Sequence, residues 1–333
     1  LPEPAVSDAV LAALPKVELH QHLDCSLSYA FATAFEPQLS EAQFRSEFVA
    51  PEYSPDFDPY ERCANRAVAM MQSTPGLAAS VDDLFAQLAD DNVVYAEIRF
   101  APLLHVRGGL SSRAVVATVE ASVRAASART GIDAGVLLCT LRHFDEAQGL
   151  ETARLAAEFA GSAVVGIDLA GDEANDPIGP HIAAFDFARR AGIGRTAHAG
   201  EGGGPASVRD TLALLQPQRI GHGVRSSEDP ALIAELRARG LHLEVCITSV
   251  IQTGVYRTVA EHPIERLRAA GVSLGISSDG RTISDVSLTD EYQRVARTFG
   301  WPAERFAAAN RAAIDAAFAP DAVKERVRAK LGS

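Results

Sequence analysis

Short apolar runs alternate with alanine-rich helical stretches along most of the chain. The runs at 16–20, 93–100, 134–141, 164–169, 194–198, 219–221, 241–245 and 272–276 read as strands. They are nearly continuous in hydrophobic residues, as in strands covered on both faces, and this argues for a parallel sheet. Between them, "SSRAVVATVEASVRAASART" (111–130) sets Val115, Val119 and Val123 four apart on one helical stripe. "DPALIAELRARG" (229–240) opens on Asp-Pro and closes on Gly240, a start and a stop signal for a helix. Eight strands, most followed by a helix, predict the α/β class and within it a (β/α)8 TIM barrel.

One connection breaks the rhythm. The span from 23 to about 92 is too long for a βα loop. It holds helical segments at 28–48 and 61–73 and a Pro/Asp/Tyr-rich stretch, "APEYSPDFDPY" (50–60). The expected arrangement is a helical insertion after strand 1, lying over the barrel mouth as a lid. The tail beyond 290 is helical, and no linker or fixed-period repeat divides the chain. One domain over 1–333 is expected.

The bulk numbers narrow the partners. Hydrophobic residues make up 47% and charged residues 22%, enough to bury a sizeable core. A net charge of −12 opposes nucleic acid or an anionic membrane as main partner. Cys25, Cys63, Cys139 and Cys246 are scattered without a C-x-x-C pair, which fits a reducing, cytoplasmic setting. The first residues have no basic region followed by an apolar core, so no signal peptide is expected, and no apolar run reaches the length of a membrane span.

Candidate chemistry collects at the predicted strand ends, where barrels place active sites. His20 and His22 are two apart at the end of strand 1, so their side chains share a face. Alone, the pair could be ordinary polar residues. Strand 5 ends with His198 and Glu201, strand 6 with His222 between glycines, strand 8 with Asp279, and strand 4 with Asp168, Gly171, Asp172 and Glu173. Imidazoles and a carboxylate suit zinc, with a position left for water. The motifs H-E-x-x-H, H-x-x-E-H and H-x-E with P-C-x-x-C are absent. "EGGGP" lacks the Lys-Ser/Thr of a phosphate loop.

Six motifs together resemble the adenosine deaminase family of the amidohydrolase superfamily: "PKVELHQHLD" (15–24), "VVGIDLAGDE" (164–173), "AHAGE" (197–201), "RIGHGVR" (219–225), "LEVCITS" (243–249) and "SLGISSD" (273–279). The resemblance implies one zinc ion per chain, held by His20, His22, His198 and Asp279. Strand 4 lacks the lysine that bridges two metals elsewhere in the superfamily. Glu201 would protonate the ring nitrogen beside the carbon under attack. His222 would orient the attacking hydroxide, and Asp279 would share in accepting its proton. Asp24 would bind the ribose 5′-hydroxyl, and Gly171 would offer its N–H to ring N3. His22 would also face the substrate, and Asp168 would support the site from behind.

The implied reaction is deamination of a 6-aminopurine nucleoside, adenosine or 2′-deoxyadenosine, to the inosine product and ammonia. Another N6-amino or N6-substituted adenine compound, such as aminodeoxyfutalosine, is the alternative. A catalytically silent nucleoside-binding barrel is the alternative from another class.

Three positions depart from the family pattern. Cys25 stands where Gly is usual, Ile247 where Pro is usual, and Gly280 where a second Asp usually meets purine N7. Arg281, next in line, could meet an anionic group or pair on the surface. Asp24 could instead cap a helix beginning near Ser26. Asp172 and Glu173 read as solvated or ion-paired, and Cys25 and Cys246 as small buried hydrophobes. His105, His143, His181, His242 and His262 lie outside the motifs and receive no role.

Overall fold

The computed structural model describes residues 6–332. Its strands are β1 (Lys16–His22), β2 (Val93–Phe100), β3 (Asp133–Leu141), β4 (Val164–Ala170), β5 (Gly194–Arg195), β6 (His198–Ala199), β7 (Arg219–His222), β8 (His242–Cys246) and β9 (Ser273–Ser277). All paired neighbours are parallel, β1 to β5 in sequence order and β6 to β9 in sequence order. The fifth predicted strand is interrupted at Thr196 and Ala197, which is why eight strands appear as nine segments. The barrel stays closed across that break. Thr196 N–H donates to Ile167 O (3.0 Å), and Gly221 N–H donates to Ala197 O (2.9 Å). At the other seam His22 N–H donates to Asp279 O (2.9 Å) and Asp279 N–H to His20 O (3.0 Å). The fold is a (β/α)8 barrel.

The predicted helices form as read. Ser111 caps Ser112–Thr130, whose Val115, Val119 and Val123 are fully buried. Asp229 caps Pro230–Arg239, and Gly240 ends it with φ +63°. The long connection after β1 is more divided than its sequence suggests. Segment 28–48 is two helices, Tyr29–Phe35 and Glu41–Phe48, the second opened by a Ser40 capping box. A further helix runs Asp58–Met70. Thr74–Asp90, which was not expected, buries Leu77, Val81, Leu84, Phe85 and Leu88 and packs beside Ser112–Thr130 in the outer ring. It is the crossover helix between β1 and β2. At the end of the chain, Ala303–Ala316 packs against β1 and β9.

The barrel interior is partly ionic. Arg99 donates to Asp168 (2.9 Å), Glu244 (2.6 Å) and Leu19 O (2.6 Å). Arg219 donates to Glu244 (2.7 Å) and Glu97 (2.5 Å), and its guanidinium lies 3.8 Å from the Phe318 ring centroid. All five charged side chains are buried. Burial alone would raise the Glu244 carboxyl, but Arg99 and Arg219 outweigh it and hold Glu244 well below the usual carboxylate range.

Glu97→Ala removes the acceptor for Arg219, Tyr95 Oη (2.9 Å) and Phe318 N–H (2.6 Å). It is expected to cost on the order of 3–5 kcal/mol, because the buried Arg219 loses one of its two carboxylate partners and two further donors lose their acceptor. An unchanged urea midpoint would contradict this.

Glu291 makes a pH test of the same shell. Burial pushes its carboxyl up to about 7, although Thr248 donates N–H and O–H to its two oxygens at 2.9 Å each. The folded state therefore holds this proton more tightly than the unfolded chain. Its stabilising effect is complete below about pH 4.5 and is lost as pH rises through about 7. Glu291→Gln is expected to unfold at a higher urea concentration than wild type at pH 8, by up to about 3 kcal/mol. The two midpoints should nearly coincide at pH 4.5.

Candidate active site

His20 and His22 leave β1 on one face, as a two-residue spacing requires. His22 Nε2 stands 3.3 Å from His198 Nε2 and 3.5 Å from Asp279 Oδ1. His20 Nε2 stands 3.6 Å from the same Asp279 oxygen and is buried without a hydrogen-bond partner among the described residues. The far sides of two of these rings are held by carboxylates. His20 Nδ1 donates to Glu244 (3.0 Å) and His198 Nδ1 to Asp168 (3.1 Å). A proton fixed on Nδ1 leaves the Nε2 lone pair facing the centre. Burial lowers His20, with Arg99 adding to the effect, and burial pushes His198 down to about 3. These two imidazoles are therefore neutral at neutral pH, as metal ligands must be. The clustered donors, with one orphaned nitrogen aimed inward, fit a divalent cation such as zinc.

Two neighbouring side chains come from unusual backbone. His222 has φ +58° and Asp279 φ +65°, left-handed values that cost on the order of 1–2 kcal/mol each outside glycine. The Asp279 conformation is fixed by the seam bonds to β1, and the following Gly223 N–H donates to Ala199 O (3.0 Å). The result turns both side chains inward. His222 Nε2 lies 3.5 Å from Glu201 Oε2 and 3.9 Å from Asp279 Oδ2.

Glu201 lies on the loop after β6. Burial raises its carboxyl and the Asp279 charge adds to that, while His222 opposes it. Thr253 Oγ1–H donates to it (3.1 Å). Behind the loop, Glu173 accepts the N–H groups of Gly200 (2.6 Å), Glu201 (2.8 Å) and Gly203 (2.9 Å). Glu173, expected to be solvated or ion-paired, is thus a clamp on the loop that carries Glu201.

Above these groups lies a cavity of about 340 Å³ lined by His22, Asp24, Cys25, Tyr60 and Gly171. It adjoins a second space of about 470 Å³ that includes Glu201 and Thr253, with Gly171 and Asp172 on both. Helix Asp58–Met70 forms part of the wall. Gly171 has φ +102°, and a Cβ there would stand 3.2 Å from Arg142 N. Asp24 accepts Ala101 N–H (3.3 Å) and lies 3.8 Å from both His22 and His105.

The family profile described as adenosine deaminase matches residues 15–333. The chain belongs to the adenosine deaminase family. It is 36% identical to the adenosine deaminase of Lacticaseibacillus casei, over 96% of each chain. It is 38% identical to the adenine deaminase of Agrobacterium fabrum, over 83% of this chain and 85% of that one. The apo structure of the N6-methyl-AMP deaminase from Arabidopsis thaliana superposes with a TM-score of 0.87 at 26% identity, covering 98% of both chains. The protein is a hydrolytic deaminase acting on C–N bonds of cyclic amidines. A silent binding barrel is thereby set aside. No helix among the described residues is long and apolar enough to cross a membrane.

Family membership leaves several expectations to correct. Arg281 does not pair on the surface; the anionic groups it meets are buried carboxylates of the chain itself. It is 4% exposed and donates to Glu18 (2.6 Å), Gln21 (2.9 Å) and Asp91 (3.0 Å), tying β1 to the segment after β9. Asp24 caps no helix, because it lies inside the turn Leu23–Cys25 and Ser28 caps Tyr29–Phe35. Glu18, Glu244 and Arg99 received no role from the sequence. The first two sit inside quoted motifs, "KVELHQH" and "LEVCITS", and a charge within an apolar strand was the available signal. His105, left without a role, is buried beside Asp24.

Position 280 is closed to a side chain by space. Gly280 has φ −106°, open to any residue, yet a Cβ there would stand 2.6 Å from Cys25 Cβ and 2.8 Å from Tyr60 Oη. The Cys25 side chain fills room that a side chain at 280 would need.

Asp168→Asn keeps every candidate ligand but weakens the carboxylate that aligns His198. Metal affinity is expected to fall about 10–100-fold. Competition with a chromophoric chelator measures it, and an unaltered dissociation constant would remove the orienting role.

Proposed function

We propose that this enzyme is a one-zinc hydrolase that deaminates adenosine and 2′-deoxyadenosine to inosine and 2′-deoxyinosine. The observation that carries the reading is the convergence of His20, His22, His198 and Asp279 beside Glu201 and His222, where His22 and Glu201 each line one of two adjoining cavities. Those four residues would hold the zinc, which when bound supplies a water acidified to a pKa of about 7. Its identity and stoichiometry rest on the three-imidazole, one-carboxylate donor set.

The chain's own groups divide the remaining work. Glu201, whose carboxyl is raised by burial, is the group that donates a proton to ring N1. His222, set between Glu201 and Asp279, holds the attacking water and with Asp279 takes its proton. Gly171 presents its N–H to N3 at a place where a side chain would crowd Arg142. Asp24 stands on the cavity wall where a sugar hydroxyl could donate to it, which favours a nucleoside over a free base. Asp168 aligns His198 through its Nδ1 proton. The chain is read as one domain, and the helices between β1 and the crossover helix as a lid, because Asp58–Met70 walls the cavity.

A second reading is deamination of free adenine, favoured by the 38% identity to an adenine deaminase. Ammonia release from adenosine, 2′-deoxyadenosine, adenine and AMP by the zinc-loaded enzyme separates the two. Adenosine is expected to give the highest kcat/KM, and Glu201→Gln to lower kcat about 10²–10⁴-fold. Preference for adenine would overturn the nucleoside assignment. Retained activity in Glu201→Gln would overturn the proton donor.

A further inference from the structure

Among the described residues lining the cavity, Tyr60 is the one whose side-chain polar atom is buried and unpaired. It projects from helix Asp58–Met70, is 9% exposed, and its hydroxyl has no hydrogen-bond partner among the described residues. A buried, unpaired hydroxyl costs about 1–3 kcal/mol, so its retention calls for a partner that arrives later. The hydroxyl abuts the bare Cα of Gly280 and the Cys25 side chain. Its ionisable neighbours include Asp279 and Glu201.

The orientation of a purine follows from the barrel order. Glu201 follows β6 and Gly171 follows β4, so the N1–N3 edge faces that sector. In a 6-aminopurine, N7 lies on the other side of C6 from N1. It therefore faces the sector of β9 and β1, where Gly280, Cys25 and Tyr60 stand. N7 carries a lone pair and needs a donor. Gly280 has no side chain to give one, and a cysteine S–H is a weak donor.

We propose that the Tyr60 hydroxyl donates a hydrogen bond to N7 of the bound 6-aminopurine and is a specificity-determining contact of this enzyme. The proposal rests on the deaminase reading above, and it holds for adenosine, adenine or AMP alike, since all carry N7. Burial keeps the phenol protonated well beyond its ordinary range, so it remains a donor across the working pH. Water does not reach the hydroxyl in this geometry, so the contact requires helix Asp58–Met70 to move inward when substrate enters.

The test uses the whole chain and two ligands, adenosine and 7-deazaadenosine, which replaces N7 with C–H. Inhibition constants or calorimetric Kd values are measured for wild type and Tyr60→Phe, on a Glu201→Gln background to prevent turnover. Wild-type geometry at Tyr60 is expected to favour adenosine about tenfold or more, the scale of one hydrogen bond to a buried acceptor. Tyr60→Phe is expected to bind the two ligands equally, and to hold or raise Tm because an orphaned hydroxyl is gone. A purely structural tyrosine would keep the preference when its ring is kept. Undiminished preference in Tyr60→Phe, or none with Tyr60 present, overturns this assignment while leaving the deaminase reading to stand on ammonia release. A protein that binds neither ligand and releases no ammonia from any 6-aminopurine overturns both.

Discussion

The arrangement depends on one buried ion network. Glu244 accepts from Arg99, Arg219, Thr196 and His20 at once, and Arg99 passes the connection to Asp168 and so to His198. Two guanidinium groups and two carboxylates thus hold two imidazoles from below. Charges in a barrel core are costly to desolvate, and well-packed hydrophobic residues would do as well for stability alone. The network earns its place by orientation. Each carboxylate fixes a proton on Nδ1 and so turns Nε2 toward the common centre.

A second constraint works from the backbone. His222, the last residue of β7, and Asp279, just past the end of β9, adopt left-handed conformations. Both carry side chains that meet at the centre, His222 Nε2 lying 3.9 Å from Asp279 Oδ2. Asp279 can do so because its N–H and C=O are both paired with β1 across the barrel seam. The closure of the barrel and the aim of a candidate ligand are the same pair of hydrogen bonds.

Much of this was legible in the sequence. Apolar runs located every barrel strand, and chemistry-bearing residues at their ends marked the site. What escaped detection lies in long-range pairing. Nothing local to "LEVCITS" tells that Glu244 meets β1, β2 and β7, and nothing local to Gly280 tells that Arg281 turns down to Glu18. The helix Thr74–Asp90 was hidden by its neighbours. Its Pro and Gly near the start and the small residues within it blur the apolar stripe that Leu77, Val81, Leu84 and Leu88 draw.

The contact between Cys25 and Gly280 has an evolutionary side. Two positions at opposite ends of the chain share one pocket of space, so their identities are not independent. Introducing a carboxylate at 280 without removing the Cys25 side chain meets a steric block, and removing that side chain first opens a void beside the substrate. A change at either position is therefore constrained by the residue at the other. Mutant libraries that vary one position at a time will report Gly280 as immutable, although part of the restriction lies in Cys25 and part in the Tyr60 hydroxyl.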